Sequence, residues 1–281
     1  MSTTSLTARA DRLRALHHAG TPLVLPNAWD VVSARLIEEA GFPAVATTSA
    51  GVAWTLGWPD GERIPLAEML DVVARVARAV SVPVTADLEA GYGPLPEDVA
   101  VTTRGAIDAG AVGMNLEDGT PDDAHPLFDL EAQVERVMAA REAGADRGVP
   151  IVINARTDVF LRQVGAPETR VAEAVRRLQA YRDAGADCLF APGVWDAATI
   201  GTLVREVGAP LNVLGKRETP SVAELARLGV ARISLGSGLL CAALGLTREL
   251  ITSLREDGRL DAALAAALPY AEMQSLVGGA G

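Results

Sequence analysis

Acidic side chains recur in this chain where an enzyme would use them, at the ends of short apolar runs. One run leads into Asp87-Leu88-Glu89-Ala90-Gly91-Tyr92-Gly93, a second into Asn115-Leu116-Glu117-Asp118, and a third into Asn154-Ala155-Arg156-Thr157-Asp158. Residues i and i+2 of a strand share a face, so Asp87 and Glu89 can converge. Asp60 joins them from the loop after an earlier run. Two carboxylates about 5 Å apart repel by roughly 3 kcal/mol at an effective dielectric near 20. A divalent cation relieves that repulsion, and an all-oxygen donor set favours a hard ion such as Mg²⁺. The expected metal set is therefore Asp60, Asp87, Glu89 and Glu117. Arg156, on the adjacent run, offers a planar fork to a substrate carboxylate. Asp118 reads instead as a helix cap or surface ion pair.

Other polar residues surround this set. Tyr92, between two glycines that permit positive φ, either hangs over the site as a proton donor or packs. His125 lies in the polar segment Gly119–Asp129, long enough to form a lid. It is a second candidate for proton transfer. Ser49-Ala50-Gly51 could present backbone N–H groups to a carboxylate or enolate oxygen, or form a plain turn. With Asp87, Arg156 and Asn212 they make up the expected substrate-binding set. Lys216 is the only lysine. Cys188 and Cys241 stand in apolar surroundings without metal-ligand spacing and read as core residues.

The elements that must position these groups alternate along the chain. Strands are expected at Leu23–Pro26, Ala44–Thr48, Val82–Asp87, Gly113–Leu116, Ile151–Ala155, Cys188–Ala191, Leu211–Leu214 and Ile233–Leu235. Amphipathic helices fall between them, as at Asp30–Ala40, Leu66–Ala79, Leu130–Ala143 and Glu168–Ala184. Four of the helical segments end in an acidic residue, Ala and Gly, with Gly41, Gly110, Gly144 and Gly185 expected just past the helix end. Eight strands in this alternation fit a closed (β/α)8 TIM-type barrel, whose active groups sit at the C-terminal ends of its strands. An open Rossmann-like sheet lacks its GxGxxG turn after the first strand. A closing helix is expected at Leu239–Ser253. An extra one, at about Leu260–Leu276, would either cover the barrel or meet another subunit.

The 281 residues suit one barrel domain, with 239–281 as a C-terminal helical segment. A net charge of −11 without a basic block argues against nucleic acid as a partner. No apolar run is long enough to span a membrane, and the first residues lack the apolar core of a signal peptide. The expectation is a soluble, cytoplasmic protein.

In combination, Asn27-Ala28-Trp29-Asp30 with Ser33-Ala34-Arg35, Leu56-Gly57-Trp58-Pro59-Asp60, the DLEAGYG run, Leu116-Glu117-Asp118 and Ala155-Arg156 resemble the isocitrate lyase/phosphoenolpyruvate mutase superfamily over nearly the whole chain. The resemblance implies a homotetramer whose paired subunits exchange the last barrel helix, and the expected partner is a second copy, in a dimer or tetramer. It implies Mg²⁺ held directly by Asp87 and through waters by Asp60, Glu89 and Glu117. It also implies that the backbone at Ser49 and Ala50 binds the substrate's oxygens, with Arg156 contacting the bound acid. This chain departs from the family in its lid, which has neither the cysteine of the lyases' KKCGH loop nor the mutases' lysine. Glu89 also replaces a frequent aspartate, and Asp158 a frequent glutamate.

The expected activity is Mg²⁺-dependent carbon–carbon cleavage of a small 2-hydroxy or 2-oxo di- or tricarboxylate through an enolate-like intermediate. Alternatives within the superfamily are an oxaloacetate decarboxylase or an enzyme like phosphonopyruvate hydrolase. Outside it stand a Schiff-base aldolase using Lys216 and a non-catalytic barrel that binds oxo acids.

Overall fold

The computed structural model describes residues 3–259, 261, 264–265 and 267–278. The strands are β1 (Leu23–Leu25), β2 (Asn27–Ala28), β3 (Val45–Thr47), β4 (Val84–Asp87), β5 (Gly113–Glu117), β6 (Val152–Arg156), β7 (Cys188–Phe190), β8 (Leu211–Leu214) and β9 (Arg232–Ser234). All pair in parallel, in the order β1-β9-β8-β7-β6-β5-β4-β3-β2. The expected first strand, Leu23–Pro26, is thus β1, and a second fragment, β2, follows it. Proline has no N–H for a ladder, and Pro26 marks the break. β1 leans on β9, with Leu23 opposite Arg232, while β2 leans on β3, with Asn27 opposite Ala46. Asn27 spans the join: its Nδ2 donates to Thr47 O at 2.8 Å, and its Oδ1 accepts from Leu235 N and Gly236 N. Counted as one barrel strand, β1 and β2 close the (β/α)8 plan.

The helices are α1 (Thr3–Leu16), α2 (Val31–Glu39), α3 (Ser49–Thr55), α4 (Leu66–Ala79), α5 (Pro96–Ala109), α6 (Leu130–Asp146), α7 (Arg170–Asp183), α8 (Ala197–Val207), α9 (Val222–Leu228), α10 (Gly238–Asp257) and α11 (Tyr270–Gly278). α1 reaches the N-terminal end of the barrel, where Arg14 Nε binds Asp187 at 2.8 Å and Nη2 donates to Pro150 O at 2.7 Å. Met114, Leu116, Ile151 and Ile153 are fully buried between sheet and helices, as in a parallel sheet covered on both faces.

Three of the four junction glycines, Gly41, Gly110 and Gly185, have positive φ as expected. Gly144 does not. It lies inside α6, and a Cβ there would come within 2.8 Å of Ile151 Cγ2 and 2.9 Å of Val149 O. Close approach of helix to strand, not helix termination, requires this glycine.

The C-terminal segment also departs from expectation. The closing helix, α10, runs four residues past Ser253, and of its described side chains only Leu240 is buried. Leu244, Leu246, Ile251 and Leu254 are all exposed. The continuous helix expected at 260–276 is interrupted by the non-helical Ala267-Leu268-Pro269, and α11 begins at Tyr270 and packs on α2. Positions 260, 262, 263 and 266 of that expectation lie outside the described residues. Among the described residues no helix is long and apolar enough to cross a membrane.

Candidate active site

Strand register explains which polar groups meet. Asp87 on β4 lies opposite Asn115 on β5, and Asn115 opposite Asn154 on β6. Two residues onward, Glu117 lies opposite Arg156, and Arg156 opposite Phe190 on β7. Equal spacing along neighbouring strands puts each line on one face. The first line is hydrogen-bonded throughout: Asn154 Nδ2 donates to Asn115 Oδ1 at 2.7 Å, and Asn115 Nδ2 donates to Asp87 Oδ1 at 3.1 Å. Asp87 Oδ2 accepts from Ser49 N at 3.0 Å and Ser49 Oγ at 2.9 Å. Three neutral donors thus hold this carboxylate at the floor of the mouth.

Arg156 is held equally firmly. Its Nε and Nη2 make a fork on Asp158 at 2.6 and 2.9 Å, and Nη1 meets Glu117 Oε2 at 2.6 Å. Burial opposes its charge, but Asp158 and Glu117 outweigh it and keep the guanidinium firmly protonated. The fork expected to grip substrate is therefore already engaged by protein carboxylates. Burial pushes the Glu117 carboxyl well above its usual range, although Arg156 pulls the other way.

Two loops close around the remaining acids. Glu62 N donates to Glu89 Oε2 at 2.6 Å, and Glu62 Oε1 accepts from Tyr92 N at 2.6 Å. Glu62, Glu89 and Tyr92 all have positive φ without being glycine, which is backbone strain gathered at one place. Gly91, at φ +91, lies between them, where a Cβ would meet Val99 Cγ2 at 2.9 Å. Burial, with Asp60 and Asp87 nearby, pushes Glu89 up to about 8. Asp60 is raised by burial and by Asp87. The Tyr92 hydroxyl is buried without a partner, and burial together with Glu89 and Glu62 holds it protonated.

A cavity of ≈ 710 Å³ opens over this floor. Ser49, Ala50, Asp60, Asp87 and Arg156 line it, as do Asn115 and the segments Gly215–Glu218 and Gly236–Gly238 from the opposite side. Gly51 lies behind Ser49, its N–H turned to Thr48 Oγ1 at 3.4 Å. Asn212 is buried and bonded to Ser234 Oγ at 3.1 Å, outside the cavity wall. The His125 ring is exposed and paired with Asp122 at 3.0 Å, again outside the wall. Lys216 stands exposed at the rim, its ammonium 4.5 Å from the centroid of Trp195.

Among the described residues no three His, Cys, Asp or Glu side chains are grouped closely enough to ligate one ion together. The donor chemistry nevertheless fits a hard cation: the acids are all oxygen donors, burial and then the neighbouring carboxylates raise Asp60 and Glu89, and Glu89 Oε1 is buried without a partner. The arrangement suits an ion with few direct protein ligands and several waters.

A family model described as phosphoenolpyruvate phosphomutase matches residues 13–255. The chain belongs to the isocitrate lyase/phosphoenolpyruvate mutase superfamily. It is 30% identical to the 2-methylisocitrate lyase of Escherichia coli over 214 residues, covering 74% of this chain and 70% of that one. It is 29% identical to an oxaloacetate decarboxylase of Bradyrhizobium diazoefficiens, covering 89% and 86%. A crystal structure of a phosphonopyruvate hydrolase in complex with oxalate and Mg²⁺ superposes with a TM-score of 0.85 at 28% identity, covering 96% and 95%.

In this superfamily member the cysteine-free lid is a small folded flap. Gly119 bridges to Leu127, and Phe128 N donates to Asp118 O at 2.8 Å. Asp118 is no surface ion pair. Fully buried, it accepts from Tyr181 Oη at 2.6 Å, Thr157 Oγ1 at 2.7 Å, Asp158 N at 2.8 Å and Arg177 Nη1 at 3.2 Å, tying β5 and β6 to α7. Cys188 is buried as expected, but Cys241 is exposed on α10 and lines the cavity.

Sequence reasoning also missed Glu62, Gln133 and Arg136. Arg136 on α6 donates to Gly93 O at 2.7 Å, to Ala90 O and to Gln133 Oε1, while Gln133 Nε2 donates to Glu117 O at 3.2 Å. These two side chains hold the loops after β4 and β5. Their only sequence signal is polar residues three apart on the buried face of a helix.

Proposed function

We propose that this chain cleaves a carbon–carbon bond in a small 2-hydroxy or 2-oxo di- or tricarboxylate, with Mg²⁺ bound at the cavity floor. The observation that carries the reading is the triply held Asp87 carboxylate beside Asp60 and Glu89, whose proton affinities are raised by burial and by the charge of Asp87. Asp87 would contact the ion directly, with Asp60, Glu89 and Glu117 holding its waters. Bound there, Mg²⁺ supplies electrophilic pull on the substrate's carboxylate and adjacent oxygen, so that the electron pair of the neighbouring bond can leave. The relatives named 2-methylisocitrate lyase and oxaloacetate decarboxylase, and the oxalate and Mg²⁺ of the hydrolase structure, support this class of substrate.

The chain's own residues do the rest. Ser49 fixes Asp87, which leaves the Ala50 backbone in the cavity wall as the nearer candidate for a substrate oxygen. Arg156, neutralised in place by Glu117 and Asp158, keeps the floor from accumulating uncompensated negative charge. Neither candidate proton donor lines the cavity: the His125 ring is exposed outside it, and Tyr92 packs against the core with its hydroxyl buried. Turnover should be screened with 2-hydroxy and 2-oxo acids before and after chelation. We expect loss with EDTA and recovery with Mg²⁺; activity indifferent to chelation overturns the reading.

Decarboxylation is the second reading. Losing CO₂ leaves no hydroxyl proton to abstract, so it demands less of a lid, and this lid carries no cysteine or lysine.

We propose further that the protein is a homo-oligomer in which the apolar side of α10 docks on a second copy. A 20-residue helix that exposes Leu244, Leu246, Ile251 and Leu254 has its packing face uncovered within one chain.

A further inference from the structure

The wall of the cavity facing the carboxylates is positively charged. β4 and β8 are the third and seventh of eight barrel strands once β1 and β2 are counted as one, and such strands lie across the barrel from one another. Asp87 therefore faces the turn that follows β8, Gly215–Glu218, which lines the same cavity. This turn is braced. Thr219 Oγ1 accepts from Lys216 N at 2.9 Å and donates to Leu214 O at 3.3 Å, and Thr219 N donates to Lys216 O at 3.2 Å. The Lys216 ammonium rests on Trp195. Among the described residues neither Lys216 nor Arg217 forms an ion pair, whereas Arg156, the other cation of the wall, already faces two carboxylates. Glu218 leaves the turn with a net charge of +1.

We propose that Lys216 and Arg217 form a subsite for a second anionic group of the substrate, remote from the atoms that react. This deepens the functional reading above and rests on it. The floor takes the carboxylate and oxygen next to the scissile bond, and the braced turn takes a distal carboxylate. A substrate bearing one anionic end leaves those two charges unused. The subsite selects by charge at the far end and not by the length of an apolar tail, because a backbone-braced turn presents two cations, one of them already resting on Trp195.

Calorimetric titration of the full chain with Mg²⁺ tests this, using oxalate, which occupies only the floor, and two matched pairs. These are malate against 2-hydroxybutyrate, and 2-oxoglutarate against 2-oxopentanoate, each pair differing in the distal carboxylate. Wild type should favour the charged member of at least one pair by about tenfold, the order of one charge-assisted contact. The double variant Lys216→Met, Arg217→Met should lose that margin while oxalate binding stays within about twofold. Lys216→Arg should keep it. If oxalate binds but the margin is absent from wild type or survives the double variant, the subsite is wrong and the Mg²⁺ floor stands. If oxalate fails to bind wild type with Mg²⁺, the functional reading fails and takes the subsite with it.

Discussion

The two sides of the mouth are built on opposite plans. On the β4–β6 side the charged groups at the strand ends are mostly committed, Asp87 to Ser49 and Asn115, Arg156 to Asp158 and Glu117, Asp118 to four donors, while Glu89 Oε1 and the Tyr92 hydroxyl are buried without partners. On the β8–β9 side Lys216, Arg217 and Cys241 stand at an open rim, and α10 leaves the barrel with its apolar residues uncovered. The committed side resists reorganisation, as stabilising charge at a reacting centre requires. The open side can change residues cheaply, which is where substrate choice and subunit contacts belong.

The comparison breaks most plainly at Asp87. Asp87→Ala removes the acceptor on which Ser49 and Asn115 converge, and kcat/KM should fall by about 10³-fold. Mn²⁺ binding followed by electron paramagnetic resonance should weaken in parallel. A variant within tenfold of wild type would mean the committed side is scaffolding and not chemistry.

Asp118→Ala tests the same side through stability. It strands the Tyr181 and Thr157 hydroxyls and Asp158 N in a buried site and leaves Arg177 with Glu173 as its ion partner, at a cost of about 3 kcal/mol. Denaturant unfolding reads this directly. Lys216→Met on the open side should stay within about 0.5 kcal/mol of wild type. Equal costs for the two changes would erase the distinction.

Ile251→Arg probes the open side's other role. Ile251 is 62% exposed, so the isolated chain should tolerate a charge there. Light scattering should show the assembly dissociating toward monomers, because a charge buried in a subunit contact costs about 2 kcal/mol or more. An unchanged mass would place the contact elsewhere.

How much of this was legible in the sequence differs between the two sides for a physical reason. Strand-end acids and β-branched runs obey the period of the pleat, so Asp87, Glu117 and Arg156 could be placed at one mouth without coordinates. The barrel followed from alternation alone. What the pattern could not carry were side chains reaching in from other layers, such as Arg136 from α6 and Glu62 from a loop. Nor could it show that the Arg156 fork closes on its own neighbour two residues away. Asn212 and His125 were placed by their polarity, but a polar residue on a strand can bond within the barrel, as Asn212 does to Ser234. Gly144 followed a sequence signature whose cause was packing rather than helix termination. On the open side, apolar periodicity announced α10 as a helix but could not say that its face would leave its own barrel.

The smallest expected effect lies at the opposite end of the barrel, and it separates stability from the chemistry of the mouth. His17 is buried beside α1, its Nδ1 2.8 Å from Leu13 O and its Nε2 without a partner. Burial, with the charge of Arg232 nearby, lowers its pKa from 6.5 to about 4. In the unfolded chain the imidazole takes a proton near pH 6.5, whereas the folded one resists until about pH 4, so protons favour the unfolded state between those values. Stability should therefore fall as pH drops through that window, by about 2 kcal/mol at pH 5. His17→Gln should flatten this part of the curve without altering turnover at pH 7. If the variant instead changes turnover while leaving the acid dependence of unfolding intact, the base of the barrel is coupled to its mouth, and the committed side extends through the whole axis.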